Sequence, residues 1–301
     1  MKYLDLNVEN VENVFNEYFV SIKNRPSDIN PILLLSWAKE LKMRWLIEDN
    51  VLYSFAEYCG QTILWGPPVG DNLSLEHIEK AFYYLKANKC NNQGKILYIW
   101  NEYDLWQELK KNERYLITFQ SQEYLYPAEN VKDLKGNKYK NIRHDAKKFV
   151  ANYTPKILEY SAKYKTECVD ILNKWKVSKG RNIQEKYHYK MVLEYEACKH
   201  VLTSDIPLNG VTAWVNNKMV SFSIGCHHDE KTFCCLFEKT DPAYKNASSV
   251  IFQELAKFCI GKYEHINAGE DWGIEYLTRA KNKWRPIIKN IYSLSLNNHM
   301  Q

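Results

Sequence analysis

Three short apolar stretches in succession constrain this chain more than any other feature. Gly210 to Trp214, Met219 to Gly225 and Phe233 to Glu238 alternate or run apolar, and Asn216-Asn217 marks a hairpin turn between the first two. Helical stretches precede them. Helix (Ser248 to Cys259), strand (Tyr263 to Asn267), helix (Ile274 to Lys281) and strand (Ile291 to Leu296) come after them. Strands and helices mixed in this order specify an α/β (α+β mixed) domain.

The first half carries a comparable mixture. Asn10 to Lys23 has apolar residues at helical spacing, and Asn30-Pro31 opens a second helix. Val51 to Tyr58 and Thr62 to Trp65 read as a hairpin, Asp71 to Leu85 as a helix with Ser74 as its N-cap, and Ile96 to Trp100 as a buried strand. Asp104 to Lys111 reads as a short helix and Tyr115 to Phe119 as a further strand. A basic helix covers Leu134 to Val150, and Thr154-Pro155 is read as the start of a long helix to about Trp175. At 301 residues the chain suits two domains, which we expect at 1–150 and 151–301.

The formal net charge is only +5, so its location matters more than its size. Between Val131 and Lys165 stand ten Lys or Arg against three acids, and Arg279 to Lys289 holds five bases and no acid. Eight cysteines (59, 90, 168, 198, 226, 234, 235 and 259) form no C-x-x-C pair, so they read as small buried hydrophobes. Cys226, His228, Cys234 and Cys235 are the nearest approach to a metal constellation, but structural zinc draws on two recognisable ligand pairs, so no metal is expected. No P-loop or dinucleotide fingerprint occurs. The acidic start lacks an apolar leader core and no run nears the ~18 apolar residues of a spanning helix, so a cytoplasmic location is expected.

Four stretches, in order, resemble the family named for the C-terminal domain of phosphatidylglycerol lysyltransferases. They are Leu35-Ser-Trp-Ala-Lys39 with Val51-Leu-Tyr53 and Trp65-Gly-Pro-Pro-Val-Gly70; Tyr124-Leu-Tyr126 to Phe149; Phe237-Glu-Lys239 with Asp241-Pro-Ala-Tyr244; and Asp271-Trp-Gly-Ile-Glu-Tyr-Leu-Thr-Arg-Ala-Lys281. The resemblance implies two tandem GNAT-like acyltransferase domains with a cleft or tunnel between them. It also implies kinship with enzymes that pass an aminoacyl group from charged tRNA to an amine or hydroxyl. Thr278 departs from the family's expected pattern.

An aminoacyl ester is already activated, so transfer needs only a positioned acceptor, a proton acceptor and a stabilised oxyanion. Glu238, at the end of a strand where a GNAT-like fold exposes its cleft, is a candidate catalytic residue, or else a salt-bridge partner of Lys239 or of a neighbouring helix. Asp271 is a candidate for holding the amino group of the aminoacyl moiety, or else a helix N-cap. Arg279 is a candidate for gripping a phosphate or acyl carbonyl, or else a surface partner of Glu275. For tRNA phosphates we nominate Lys140, Arg143 and Lys147, spaced along one helix face, with Lys281 and Lys283. Trp272 is the candidate platform for a terminal base, or else a core residue. His144 is the residue considered as a base, but beside Asp145 and Lys148 it is read as a surface or helix-packing histidine.

CoA is the less expected donor, because Lys239 to Ser249 contains no glycine with which to cradle a pyrophosphate. The expectation is therefore an aminoacyl-tRNA-dependent transferase that needs no cofactor and acts on a small-molecule or peptide amine or hydroxyl. The alternatives are an acyl-CoA-dependent N-acyltransferase and a non-catalytic tRNA- or RNA-binding protein of the same fold.

Overall fold

The computed structural model describes residues 3–22, 24–88, 94–181 and 183–297, so Cys90 lies outside the described residues. The chain forms two compact units, 1–123 with 289–301 and 124–288.

The first unit contains β1 (Tyr3–Asp5), α1 (Val8–Val14), α2 (Pro31–Trp37), β2 (Arg44–Glu48), β3 (Val51–Tyr58), β4 (Gln61–Leu64), β5 (Val69–Gly70), α3 (Leu75–Ala87), β6 (Ile96–Trp100), α4 (Trp106–Lys111) and most of β7 (Tyr115–Pro127). β1 to β4 form an antiparallel meander, and β6 returns parallel to β4 after helix α3. Ser74 opens α3 as expected, its backbone N–H donating to His77 Nδ1 at 3.0 Å. β2, which the sequence reading passed over, has Arg44 and Glu48 at its ends and the fully buried Trp45 between them. Glu123, the last residue of this unit before the chain crosses to the second, is wholly buried and accepts from both the backbone N–H and the hydroxyl of Ser27.

The second unit contains α5 (Ala128–Asp133), α6 (Lys140–Tyr153), β8 (Lys156–Glu159), α7 (Lys165–Gly180), α8 (His188–Thr203), β9 (Asn209–Val215), β10 (Lys218–Asp229), β11 (Thr232–Thr240), α9 (Ala247–Cys259), β12 (His265–Glu270) and α10 (Glu275–Asn282). β13 (Ile287–Leu296) then leads back to the first unit, where it pairs antiparallel with β6. In exchange, the Tyr124–Pro127 end of β7 belongs to the second unit, whose backbone fixes it through Ala128 N–H donating to Glu264 O at 2.9 Å. This exchange is why the units do not divide at 150/151. The helix α6 packs its buried Ala146 and Phe149 into the core around α9, so it belongs to the second unit.

The strand meander β9–β10–β11 is present as expected, with Asn216 and Asn217 at φ +49° and +61° in the turn. The expected helix from Thr154 is corrected. Thr154 ends α6 in a left-handed conformation, and Lys156–Glu159 then pair antiparallel with β9. A residue before proline is disfavoured in the helical region, so Thr154-Pro155 stops one helix rather than starting another.

Two features of β11 position the site. Opposite Ile224 and Gly225 its register jumps from Phe237 to Cys235, which leaves Leu236 as the extra residue of a β-bulge. On the other side β11 pairs parallel with β12, through Thr232–His265, Phe233–Ile266 and Cys234–Asn267. The ladder stops there, before Glu238 and before the end of β12.

Gly225 has no room for a side chain at this bulge, because a Cβ would meet Cys234 O at 1.9 Å. Gly225→Ala is therefore expected to destabilise the protein by about 1–3 kcal/mol, the usual cost of overpacking. Urea midpoints of the two proteins measure it; an unchanged midpoint would show that the bulge yields freely.

Candidate active site

Ligands in sheets with parallel strands gather at the strands' C-terminal ends. Here those ends carry Glu238 on β11 and Asp271 directly after β12. A concavity of about 350 Å³ lies at the opposite end of β12, lined by Glu129, Glu230, Tyr263 and Glu264 among others. Its carboxylates at 129 and 264 are paired with Lys132 and Lys231, and it is remote from the residues below.

Asp271 is buried and fully used by its surroundings. Its Oδ1 accepts from the Gly273 N–H at 2.9 Å. Its Oδ2 accepts from the Tyr124 hydroxyl at 2.6 Å and from the Thr278 hydroxyl. Burial alone would raise this carboxyl, but those hydrogen bonds and the nearby Lys281 outweigh it and hold it below the ordinary range. Asp271 does not cap α10; that position is Ile274. It ties together a loop, a helix and a strand end. Thr278, a departure from pattern in the sequence, is one of its hydrogen-bond donors.

Lys281 on α10 donates to the carbonyls of Ala268 and, at 3.3 Å, Gly269 at the end of β12. Its ammonium lies 5.4 Å from the centre of the Tyr124 ring. Burial lowers its pKa, with Cys235, Glu194, Asp271 and Glu270 pulling the other way. Tyr126 anchors the same helix by donating to Lys281 O at 3.0 Å. Lys281, nominated from the sequence as a tRNA contact, thus sits within the charge cluster rather than on the surface.

Glu238 shares that cluster. Desolvation raises its carboxyl from an ordinary 4.5 to about 8, against the opposing charges of Lys239 and Lys281. The sequence alternative, a salt bridge from Glu238 to Lys239, is not formed. Consecutive strand residues face opposite ways, and Lys239 pairs instead with Glu194 of α8 while lying 4.6 Å from the Trp175 ring centre. Burial would lower Lys239, but Glu194 and its neighbours more than compensate and raise it. The nearby Cys235 thiol is pushed up to about 12 by burial, which leaves it un-ionised.

The other nominated residues are placed differently. Arg143 is committed locally, donating to Leu134 O and, at 2.6 Å, Gly136 O, so it clamps the turn before α6. Lys140, Lys147 and Lys283 are exposed. Arg279 is exposed with Glu275 at 3.6 Å, the surface pair considered from sequence. Trp272 is half-buried at φ +56°, and its carbonyl accepts from Lys190 at 2.7 Å. His144 is exposed. The two basic segments do meet within the second unit: Trp284 packs against Leu134, Tyr139 and Ile142, and the Tyr139 hydroxyl donates to Trp284 O at 3.4 Å. Among the described residues no group of three His, Cys, Asp or Glu is placed to hold a metal. Nor is any described helix long and apolar enough to cross a membrane.

Tyr124 and Thr278 stand in the stretches that carry the family resemblance, yet the sequence assigns neither a role; Glu194 is one of several charged residues on α8, so nothing local singles it out.

Stability should report the state of Glu238. The folded protein holds a proton that the unfolded chain releases near 4.5, so stability falls as pH rises from about 4.5 to about 8. Glu238→Gln is expected to flatten that part of the melting profile, read by thermal melts between pH 5 and 9. Parallel profiles for both proteins would place the carboxyl in water.

The sequence matches the family described as phosphatidylglycerol lysyltransferase, C-terminal, over residues 25–295. A conserved protein of unknown function from Bacteroides thetaiotaomicron VPI-5482 superposes with a TM-score of 0.83 at 23% identity, over 99% of this chain and 100% of that one. L-PGS from Bacillus licheniformis gives 0.69 at 13% identity, over 98% and 93%, and FemX gives 0.57 at 7%, over 97% of each. Among curated protein sequences none matches. At these identities the structural likenesses speak for the fold alone, a mixed α/β arrangement. With its match extending over nearly the whole sequence, the chain belongs to the phosphatidylglycerol lysyltransferase C-terminal family.

Proposed function

We propose that this protein is an aminoacyltransferase that takes its acyl group from aminoacyl-tRNA and delivers it to an amine or hydroxyl. The observation that carries the reading is the juxtaposition of Glu238 and Lys281 where β11 and β12 part. Glu238, once deprotonated, takes the proton of the attacking N–H or O–H. The new bond forms at the ester carbonyl, and the tRNA ribose oxygen leaves with a proton returned to it. Lys281 spends two of its N–H bonds on Ala268 and Gly269, which leaves one to face developing negative charge. No ATP is needed, because the ester is already activated.

Two further features support an aminoacyl-tRNA donor over CoA. At the turn into α9, Asp241 is buried, bonded to Lys174 at 2.6 Å and to the Ala243 N–H at 3.0 Å. A carboxylate there repels a pyrophosphate at that helix start. The exposed cations Lys140, Lys147, Arg279 and Lys283 suit a polyanion that needs charge rather than a fixed pocket. The role assigned to Asp271 changes with its hydrogen bonds: it orients Tyr124 and Thr278 around the site.

Transfer from charged tRNA to a panel of amines and alcohols tests the reading. The rate should climb with pH and level off above about 8, the range set by burial of Glu238. Glu238→Gln should remove that slope and lower turnover by roughly 10²–10⁴-fold. A pH-independent rate, or full activity of the variant, would assign the proton to another group.

The polyanion contact has its own test. Arg279→Ala with Lys283→Ala should weaken binding of charged tRNA and reduce the salt slope by about one unit per lost contact, without lowering the melting temperature. A slope equal to that of the unaltered protein would remove these residues from the interface.

A further inference from the structure

Three residues near the candidate site stand where local preference argues against them, and they meet in one place. Asp271 to Ile274 form a tight turn, closed by the Ile274 N–H donating to Asp271 O at 2.9 Å. Both central residues are left-handed, Trp272 at φ +56° and Gly273 at φ +66°. Glycine and asparagine suit such a turn, whereas a bulky side chain at positive φ is strained. Tyr187 holds the N-cap position of α8, where Ser, Thr, Asp or Asn would bond the helix start, and its side chain makes no such bond. Lys190 lies in the first turn of α8, where the helix dipole disfavours a cation, and that turn holds no acid to offset it.

Their hydrogen bonds explain the placement. The Lys190 ammonium donates to Trp272 O at 2.7 Å, a charge-assisted bond. The Tyr187 hydroxyl donates to Gly273 O at 3.5 Å, the weak limit of such bonds. The start of α8 thus grips both central carbonyls of a turn 82 and 86 residues further on. Strained backbone persists only where its surroundings over-determine it.

The turn matters because α10 follows it directly. None of the side chains of α10 is buried, so beyond Ile274 just before it the helix has no apolar anchor. Polar ties hold it instead, Thr278 to Asp271 near its start and Tyr126 to Lys281 O near its end. A change in the turn moves Asp271, and with it the helix that carries Thr278 and Lys281.

We propose that Lys190, assisted by Tyr187, is a positioning residue that holds the Asp271–Ile274 turn in its strained form and so sets Asp271, Thr278 and Lys281 in place. Its part in turnover rests on reading the Glu238 cluster as a transferase site. The clamp itself does not.

The full chain is labelled with 5-fluorotryptophan, and the Trp272 fluorine resonance is assigned by its loss in Trp272→Phe. Lys190→Met should shift or broaden that resonance and leave those of the other tryptophans in place. Tyr187→Phe should move it less, Lys190→Arg should keep it, and Lys199→Met, at an exposed lysine of the same helix, should not alter it. An unmoved resonance in Lys190→Met would overturn the proposal, and one in Tyr187→Phe would strike Tyr187 from it. Should Lys190→Met fail to fold, Lys190→Gln takes its place. Asparagine suits the turn, so the melting temperature lost through Lys190→Met should be smaller in a Trp272→Asn background. Equal losses would show that the lysine holds no strain, which also overturns the proposal.

Transfer kinetics give the second readout. Lys190→Met should lower kcat by up to about 10²-fold with KM little changed, and Lys190→Arg should restore it. A raised KM at unchanged kcat would make Lys190 a substrate contact and overturn the positioning role. A moved Trp272 resonance with no transfer by any of the proteins would keep the clamp and defeat the transferase reading.

Discussion

The site exists because two parallel strands pair for only three residues. β11 and β12 begin side by side at Thr232 and His265 and lose their ladder after Cys234 and Asn267. A bulge at Leu236 adds twist to β11 at that point, and Gly225 opposite it has no room for a side chain. Past the bulge the sheet cannot satisfy both strands, and a side chain from elsewhere must. Lys281 takes this place, donating to two carbonyls at the end of β12. The same departure from regular pairing that weakens the sheet sets a carboxyl and an ammonium at its end.

The surrounding charges follow from that placement. Groups taken out of water must be paired, hydrogen-bonded or neutralised. All three routes are used here. Lys239 is paired with Glu194, Asp271 is hydrogen-bonded on both oxygens, and Glu238 is neutralised by holding its proton. A carboxyl that ionises near neutral pH is suited to accept a proton from an incoming nucleophile, whereas Asp271, held below its ordinary range, is suited to fix geometry. Two acids at one end of the sheet thus differ in protonation because their surroundings push them in opposite directions.

The two units use a common order. In each, an antiparallel meander ends in a strand (β4 or β11), a helix comes next (α3 or α9), and the following strand returns parallel to the meander's last (β6 or β12). Each then takes a strand end from the other stretch of chain: β13 beside β6 in the first, and Tyr124–Pro127 of β7 in the second. The candidate site depends on this exchange, because Tyr124 and Tyr126 both arrive on β7 and hold Asp271 and Lys281. A boundary at 150 would have separated them from their partners.

Local pattern sufficed for the elements whose residues repeat their own signal. The meander, its Asn216-Asn217 turn and the helices around Ser248 and Ile274 were legible because strand alternation, helical spacing and turn residues are short-range features. The strand Lys156–Glu159 was not, since four residues after a proline carry too little pattern to choose between helix and edge strand. The partners were not legible either. Tyr124 meets Asp271 across 147 residues and Lys239 meets Glu194 across 45, and no local spacing encodes such pairs. Arg143 and Arg279 carry the same guanidinium, yet one clamps a turn and the other faces water. The sequence by itself determined which residues could ionise and, where a pattern was long enough to repeat, which element would carry them. Burial decided which of them hold a charge and against what, because desolvation is a property of the packed surroundings and not of the residue.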